Sequence, residues 1–228
     1  MTNKTDKAAG EAVKFDGMRL DARYTGKTVL VLGAHPDDME LGVGGTIARL
    51  SKVARVIMAI VGVPSKLDIR LAEAARSAAI LGAELTVLVP DACCRVEDLK
   101  TYELVGMLDA LVERFQPALT LSHGPSDFHK DHTLVFNACV AMQRLASFDV
   151  LCYRPTATRP TSVGFQPELF VDISDTIDVK MDAIAAHESQ FAARGLPIES
   201  FRDQARDYGR AVGVTFAEAL EVSRLVFT

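Results

Sequence analysis

The sequence predicts an α/β fold, a Rossmann-like, doubly wound and mainly parallel sheet flanked by helices. Short, wholly apolar runs recur over residues 27–150, and each is followed by a longer segment with apolar residues at helical spacing. Alternating strands and helices are typical of parallel sheets with right-handed crossovers. With 228 residues, 49% of them hydrophobic, the chain fits one domain of ordinary size. We expect an N-terminal extension at 1–26 and a single domain at 27–228.

Six apolar segments are predicted to be strands. They lie at 28–33, 54–61, 84–89, 118–122, 149–153 and 168–173. The first two are apolar nearly throughout, as in strands buried on both faces of a parallel sheet. A doubly wound sheet with strand order 3-2-1-4-5 makes the first and fourth strands neighbours, and further C-terminal strands extend it.

Helices are predicted where apolar residues recur every three or four positions. These segments are 44–52, 69–81, 96–115, 131–145, 174–190 and 198–212. Gly82 follows the second of them and supplies a C-terminal stop. The tail at 219–227 fits neither the helical nor the strand pattern clearly.

Composition excludes several classes of protein. The net charge of −5 and the lack of a basic block argue against nucleic acid as a partner. The apolar segments are too short to span a bilayer, and residues 1–14 are polar, unlike a signal peptide. The four cysteines form no C-x-x-C pattern, and Cys93 and Cys94 are adjacent. Reduced thiols and a cytoplasmic location are therefore expected.

Two clusters of ionisable side chains follow the first and fourth predicted strands. The first comprises His35, Asp37, Asp38 and Glu40. The second has five members: His123, Asp127, His129, Asp131 and His132. Because the two strands are expected to be neighbours, both clusters should meet in the crevice at their carboxyl ends. So many charges in one crevice would repel one another unless a cation binds them, which predicts a divalent metal site.

The residue types suggest a division of labour within this site. Catalytic zinc usually has three protein ligands, and we assign His35, Asp38 and His132 to this role, although Fe(II) also suits them. Asp37 is then the general base that takes a proton from the attacking water. Protonated His129 stabilises the oxyanion and donates a proton to the leaving amine. We assign Asp131 the orientation of a histidine. Together these groups suit hydrolysis of an amide.

Less specific interpretations remain open for several of these residues. Either Asp37 or Asp38 is also suited to capping the following helix. Glu40 is either an exposed acid of the first turn or a group behind the metal ligands. His123 is more easily explained as a structural residue at a strand end, and His187 has no assigned role. The glycines at 42–45 do not fit a dinucleotide-binding fingerprint, because His35 and the acids stand where its first glycine belongs.

The pattern Ala-His-Pro-Asp-Asp-x-Glu-x-Gly-x-Gly-Gly at 34–45, with His129-x-Asp131-His132, resembles the LmbE/PIG-L family of metal-dependent N-deacetylases. The segments 70–82 and 170–190 are also similar to that family, so the resemblance covers roughly 27–190.

The resemblance implies a zinc-dependent enzyme that removes an N-acetyl group from an amino sugar, with the residue roles given above. It also implies a homo-oligomer and a small-molecule substrate contacted by Arg70 and Asp91. Two features depart from the family pattern. Lys130 stands where proline is common, and the loop after the second strand lacks an acidic Gly-Glu sequence. Both concern the rim of the pocket and therefore the identity of the substrate.

We predict a metal-dependent hydrolase that deacetylates an N-acetylglucosamine-type conjugate and releases acetate and a free amine. The alternatives are a metal-dependent hydrolase of another amide or a phosphoester, and a non-catalytic module that binds metal or sugar. Asp37 argues against the binding module, because binding alone needs no further carboxylate beside a complete ligand set.

Overall fold

One seven-stranded sheet organises the chain, and the computed structural model describes residues 19–154 and 164–227. The strands are β1 Thr28–Gly33, β2 Arg55–Ile60, β3 Glu84–Val87, β4 Leu119–His123, β5 Asp149–Tyr153, β6 Leu169–Asp172 and β7 Ala217–Arg224. Their order is β3-β2-β1-β4-β5-β7-β6. The pairs among β1 to β5 are parallel, whereas β7 runs antiparallel to both β5 and β6. The predicted order 3-2-1-4-5 is confirmed.

Helices cover both faces of the sheet. They are α1 Leu20–Tyr24, α2 Asp38–Leu50, α3 Leu67–Leu81, α4 Thr101–Phe115, α5 Lys130–Met142, α6 Ile177–Ala185 and α7 Glu199–Val212. Helices α2, α3 and α6 pack over one core, and α4 and α5 pack over the other. Val29 and Val31 face the first core, while Leu30 and Leu32 face the second. This two-sided burial explains why β1 is apolar at almost every position.

The described part of the predicted extension, residues 19–26, packs against the sheet through Tyr24. Tyr24 of α1 is 1% exposed, and its hydroxyl donates a hydrogen bond to Asp149 Oδ2 at 2.8 Å. Residues 1–18 lie outside the described part of the chain, so the division at 26 stays a prediction. No helix within residues 19–154 or 164–227 combines the length and the apolar character needed to cross a membrane.

The largest differences between the predicted and observed helix bounds are in α2, α4 and α6. Helix α2 begins at Asp38 instead of residue 44, and it is irregular at Val43, where φ is −140°. The predicted helix 96–115 is divided into a 3-10 turn at Val96–Asp98 and α4, because Leu99 and Lys100 are extended. Helix α6 ends at residue 185 instead of 190.

Glycine permits the close approach of α2 to its neighbours. A Cβ at Gly42 would lie 2.1 Å from Tyr153 Cδ2, and one at Gly45 would lie 2.8 Å from Ile173. These glycines therefore serve packing, as expected once a dinucleotide-binding role is excluded.

A buried ion pair stabilises the irregular turn of α2. Glu218 of β7 accepts hydrogen bonds from the amides of Gly45 and Thr46 at 2.9 and 2.7 Å. Lys180 of α6 lies 2.6 Å from Glu218 and also donates to Leu41 O at 3.0 Å. Both charged side chains are under 5% exposed. The pair thus joins α2, α6 and β7 beneath the glycine-rich turn.

Replacing Lys180 by methionine is expected to lower the free energy of unfolding by about 3–5 kcal/mol, because it leaves the Glu218 carboxylate buried without its cation. Urea denaturation followed by circular dichroism measures the change. Arg210→Met is the matched control, since Arg210 and Asp207 form an exposed pair, and we expect a change within about 0.5 kcal/mol. Equal, small changes in both variants would contradict the stabilising role of the buried pair.

Candidate active site

The carboxyl ends of β1 and β4 bring the two ionisable clusters together. These strands pair in parallel, with Val31 opposite Leu121. The chain leaves β1 through a short loop into α2, and it leaves β4 through residues 124–129 into α5. Side chains from both loops and both helix starts therefore meet in one crevice, as the strand order predicts.

The three residues assigned as metal ligands lie close together in this crevice. Asp38 Oδ1 is 3.3 Å from His132 Nε2, and Asp38 Oδ2 is 3.6 Å from His35 Nδ1. The centroids of the two imidazole rings are 5.7 Å apart. All three side chains are 12% exposed or less. A histidine nitrogen from each ring thus faces the same carboxylate.

Carboxylates hold the two histidine rings from their opposite sides. His35 Nε2 is 2.9 Å from Asp131 Oδ2, and His132 Nδ1 is 2.8 Å from Asp127 Oδ2. Metal-bound histidines usually have such a partner on the other ring nitrogen, which fixes the tautomer and leaves the remaining lone pair for the metal. Asp131 is therefore within hydrogen-bond distance of His35, and its assigned role in orienting a histidine stays a prediction. Asp127 had no predicted role.

The electrostatics of the crevice favour a positive charge. Burial acts to lower the pKa of His132, but Asp38 and Asp127 raise it to about 10. Burial acts to raise the pKa of Asp38, yet His132, His123 and His35 hold it well below its usual value. Protons and a metal ion compete for the same lone pairs, so a site with this charge pattern suits a divalent cation.

His123 offers an alternative ligand set. Within the described residues, two overlapping groups have ligand atoms that all lie within 4.8 Å of one another: His35, His129 and His132, and Asp38, His123 and His132. Each group contains two of the three assigned ligands, and neither contains all three. However, His123 Nε2 accepts a hydrogen bond from the amide of Ala34 at 3.0 Å. Burial and His132 lower the pKa of His123 to about 4, so its ring is neutral and stacks on His132 at 4.0 Å. These contacts favour its structural interpretation.

Asp37 occupies a strained position beside the predicted ligands. Its backbone has φ 100° and ψ −29°, in a region that non-glycine residues rarely adopt. This conformation costs about 1–3 kcal/mol, which contacts with the surrounding residues must offset. Arg70 supplies a contact by donating to Pro36 O at 2.7 Å, and its Nη2 is 3.5 Å from Asp37 Oδ2. Burial and Asp38 raise the pKa of Asp37 to about 7, against the influence of Arg70 and His187.

The geometry bears differently on the two predicted substrate contacts. Arg70 is 5% exposed, and its described hydrogen bonds go to the loop that carries Asp37. Asp91 is exposed in the loop after β3. Contact with a substrate stays a prediction for both residues.

His129 differs from its assignment in one respect. Its Nδ1 accepts a hydrogen bond from Asp131 N at 3.2 Å, which leaves the ring proton on Nε2. Burial, His132 and His35 lower its pKa, so the contacts disfavour the protonated form that the sequence analysis assigned. The ring lies 4.5 Å from His132 and 5.0 Å from His35. The neutral ring still presents an N–H group as a hydrogen-bond donor.

A buried polar network lies behind the crevice and includes two residues that had no settled role. Glu40 Oε1 accepts hydrogen bonds from Ser77 Oγ at 2.6 Å and from His187 Nε2 at 3.0 Å. Both Glu40 and His187 are 1% exposed or less. Glu73 accepts from the amide and hydroxyl of Ser189 at 2.7 Å each. The network joins α2, α3 and the segment after α6, so Glu40 is not an exposed acid.

The sequence model of the PIG-L family, described as GlcNAc-PI de-N-acetylase, matches residues 30–143. This segment is half of the chain and contains both ionisable clusters. The chain belongs to the PIG-L family. The predicted family resemblance is therefore confirmed, and deacetylases of this family are metal-dependent amidohydrolases that act on C–N bonds.

Two relatives align over most of the PIG-L chain. The uncharacterized deacetylase YaiS of Escherichia coli strain K12 is 28% identical over 186 residues, which cover 76% of this chain and 97% of YaiS. Diacetylchitobiose deacetylase of Thermococcus kodakarensis is 26% identical over 223 residues, covering 85% and 82% of the two chains.

Solved structures share the fold. The conserved protein TT1542 from Thermus thermophilus superposes with a TM-score of 0.73 at 25% identity, covering 89% of this chain and 97% of that one. GalB, the 4-carboxy-2-hydroxymuconate hydratase of Pseudomonas putida KT2440, reaches 0.71 at 21% identity, covering 89% and 98%. At that identity the second comparison shows the fold alone.

Proposed function

We propose that this enzyme removes the N-acetyl group from an N-acetylglucosamine-type conjugate, releasing acetate and a free amine. One observation carries the proposal: Asp37 immediately precedes Asp38 and its carboxylate interacts electrostatically with that of Asp38, which itself lies between His35 and His132. A metal-binding site alone would need only the ligands. The additional carboxylate is proposed to be the base that takes a proton from the attacking water. The relative named for diacetylchitobiose supports an amino-sugar substrate.

The donor set fits zinc, with Fe(II) as the alternative metal. His35 Nδ1, His132 Nε2 and Asp38 are the atoms proposed to hold it, and the opposite nitrogens of both rings are bound by carboxylates. Three ligands of histidine and carboxylate type are usual for catalytic zinc. When bound, such a metal acidifies water and polarises the carbonyl oxygen of an amide.

Asp37 is proposed to accept the proton of the attacking water. Its raised pKa reflects burial and the neighbouring Asp38, and a bound cation would lower that pKa and keep the carboxylate ionised. The protonated carboxyl group can then pass the proton to the leaving amine. The proton lost by the attacking water is therefore the one that the leaving amine gains, and a protonated His129 is not needed.

His129 is proposed to stabilise the negative charge that develops on the amide oxygen. Its Nδ1 accepts from Asp131 N, so its Nε2–H is the donor that remains. A donor held in place before the reaction stabilises the transition state without reorganisation. Asp131 contributes twice, through its amide to His129 and through its carboxylate to His35.

Location and assembly are also proposals. The four cysteines are free in the described part of the chain, which supports a reducing compartment such as the cytoplasm. A homo-oligomer is proposed from the family resemblance, and light scattering after size-exclusion chromatography measures it.

Purified protein loaded with zinc is expected to release amine and acetate in equal amounts from N-acetylglucosamine conjugates. The panel includes the free sugar, its disaccharide, aryl glycosides and nucleotide sugars, with amine detected by fluorescamine. A chelator should stop turnover, and added metal should restore it. Release of phosphate instead of amine would favour a phosphoesterase. Stoichiometric zinc binding without any turnover across the panel would favour a binding module.

A further inference from the structure

The first turn of α2 carries two residues of the candidate site. Asp37 and Asp38 begin this turn, and Leu41 N closes it with a hydrogen bond of 3.0 Å to Asp37 O. Asp38 Oδ2 accepts a hydrogen bond from the amide of His35 at 2.8 Å. Because the backbone of Asp37 is strained, the turn needs contacts that hold it in place. The side chain of Glu40, in the same turn, makes such contacts with two other segments of the chain.

Two buried side chains hold Glu40 from different directions along the chain. The hydroxyl group of Ser77, in α3, donates to Glu40 Oε1 at 2.6 Å, and His187 Nε2 lies 3.0 Å from the same oxygen. His187 follows the end of α6 and is 0% exposed. Because its ring is closed off from solvent, His187 is not a group that touches a substrate. Its influence on the reaction passes through Glu40 and the turn that carries Asp37.

His187 and Glu40 attract each other as opposite charges. Burial acts to lower the pKa of His187, but Glu40, Asp37 and Glu73 raise it above its usual value. The protonated imidazole is therefore favoured beside the Glu40 carboxylate. A hydrogen bond between two charged groups is shorter and stronger than a neutral one, so this contact restrains the turn more than a neutral pair would.

Stability of the fold alone does not account for this pair. Glu40 Oε2 and His187 Nδ1 are buried and have no hydrogen-bond partner among residues 19–154 and 164–227. Each unpaired buried polar atom costs free energy, and well-packed apolar side chains often stabilise a fold as much as a buried ion pair does. A buried ion pair is better suited to fixing one conformation, and the segment fixed here is the turn that begins with Asp37.

We propose that His187 is a positioning residue, which acts through Glu40 to hold the first turn of α2, and with it Asp37, in the arrangement used for hydrolysis. The inference rests on the proposed deacetylation, in which Asp37 takes a proton from the attacking water. A displacement of about 1 Å in a catalytic group can lower a rate about 10²-fold, so a contact that orients the base affects kcat. KM changes little, because His187 does not contact the substrate.

Steady-state kinetics of three His187 variants test the proposal. His187→Leu removes the contact with Glu40 and is expected to lower kcat about 10- to 100-fold, with KM changed less than about twofold and zinc content unchanged. His187→Asn is too short to reach Glu40 and should show the same loss, which guards against a folding defect specific to leucine. His187→Gln places an amide donor near the position of Nε2 and should recover most of kcat. Equal kcat in His187→Gln and His187→Leu would overturn the proposal.

Thr176→Val is the matched control, because it also removes a buried polar contact with α2. Thr176 precedes α6 and is 2% exposed, and its hydroxyl group donates to Gly45 O at 2.9 Å, beyond the first turn. We expect a lower melting temperature but a kcat within about twofold of wild type. A loss of kcat as large as that of His187→Leu would overturn the proposal, since any weakening of α2 would then have the same effect.

Hydrogen–deuterium exchange on the full-length, zinc-loaded protein separates this inference from the proposed function. The amide of Leu41, which donates to Asp37 O, should exchange at least about tenfold faster in His187→Leu than in wild type or Thr176→Val. If exchange rises in this way but wild type releases no amine, the deacetylation proposal fails and the positioning role stands. If amine is released while kcat and exchange are unchanged in His187→Leu, only the positioning role fails. If there is neither amine release nor faster exchange, both fail.

Discussion

Replacing Asp37 by asparagine is expected to lower kcat about 10²- to 10⁴-fold while the enzyme keeps its bound metal. The amide of asparagine cannot take a proton from water, yet it has almost the same shape as the carboxyl group. Asparagine is also among the residues that tolerate a positive φ, so the backbone at φ 100° should be preserved. The hydrogen bond from Arg70 to Pro36 O does not involve the substituted side chain. Amine release and zinc content measured on the same sample separate chemistry from metal binding.

Two further variants make the test of Asp37 selective. Asp178→Asn is the control, since Asp178 is 84% exposed in α6 and paired with Arg202 of α7, and the activity of this variant should be unchanged. Asp37→Gly should lose activity but gain thermal stability, because glycine adopts a positive φ without strain. An active Asp37→Asn enzyme would refute the base assignment. A destabilised Asp37→Gly variant would refute the strain at this position.

The strand order was predictable because a strand buried on both faces of the sheet, such as β1, has an unbroken apolar sequence. Residues at alternating positions enter two different cores, so the run from Val29 to Leu32 is apolar without a break. The sequence of the C-terminal strand, β7, shows no such apolar run. Ala217 to Leu220 of β7 are all buried, including Glu218, which looks like a surface residue in the sequence. Its partners are Lys180 and two amides of α2, all distant in sequence.

The start of α2 was mispredicted for a related reason. Glycines at 42, 44 and 45 disfavour a helix locally, and the predicted helix therefore began only at residue 44. In the folded chain the helix begins at Asp38 and tolerates an irregular turn at Val43. Close packing on Tyr153 and Ile173, together with Glu218, compensates for the low helical propensity. Tertiary contacts of this kind cannot be inferred from local sequence.

The location of the candidate site was easier to predict from the sequence than the roles of its residues. Paired motifs at the ends of neighbouring strands indicated which residues would meet. They did not indicate that Asp127 would bind His132, since this depends on the path of the loop. A local signal existed, because Asp127 stands two residues before His129. The side chain of Asp127 accepts a hydrogen bond from the amide of His129, as aspartate commonly does in turns. The pKa of His129 is lowered by burial and by His132 and His35, and only the folded chain brings these groups together.

Replacing His132 by alanine is expected to remove the metal and reduce amine release to background. His132 belongs to both groups of candidate ligands, so either arrangement loses a donor. The change also leaves the carboxylates of Asp38 and Asp127 without the imidazole between them. Zinc content after dialysis and the thermal shift on adding zinc measure the loss, since a ligand that binds only the folded state raises its stability. Circular dichroism establishes that the variant is folded.

Graded variants then decide between the assigned set, His35, Asp38 and His132, and the set that replaces His35 with His123. Asp127→Asn should lower the affinity for zinc about 10- to 100-fold, because the ring of His132 loses a charged partner but keeps a hydrogen-bond acceptor. His123→Gln should keep its zinc, because His123 Nε2 is already bound to the amide of Ala34 and the glutamine side chain can replace that contact. His35→Gln should lose its zinc. The converse result, zinc lost in His123→Gln and kept in His35→Gln, would move the metal to Asp38, His123 and His132. The metal would then lie deeper in the crevice, because His123 is fully buried whereas His35 is partly exposed.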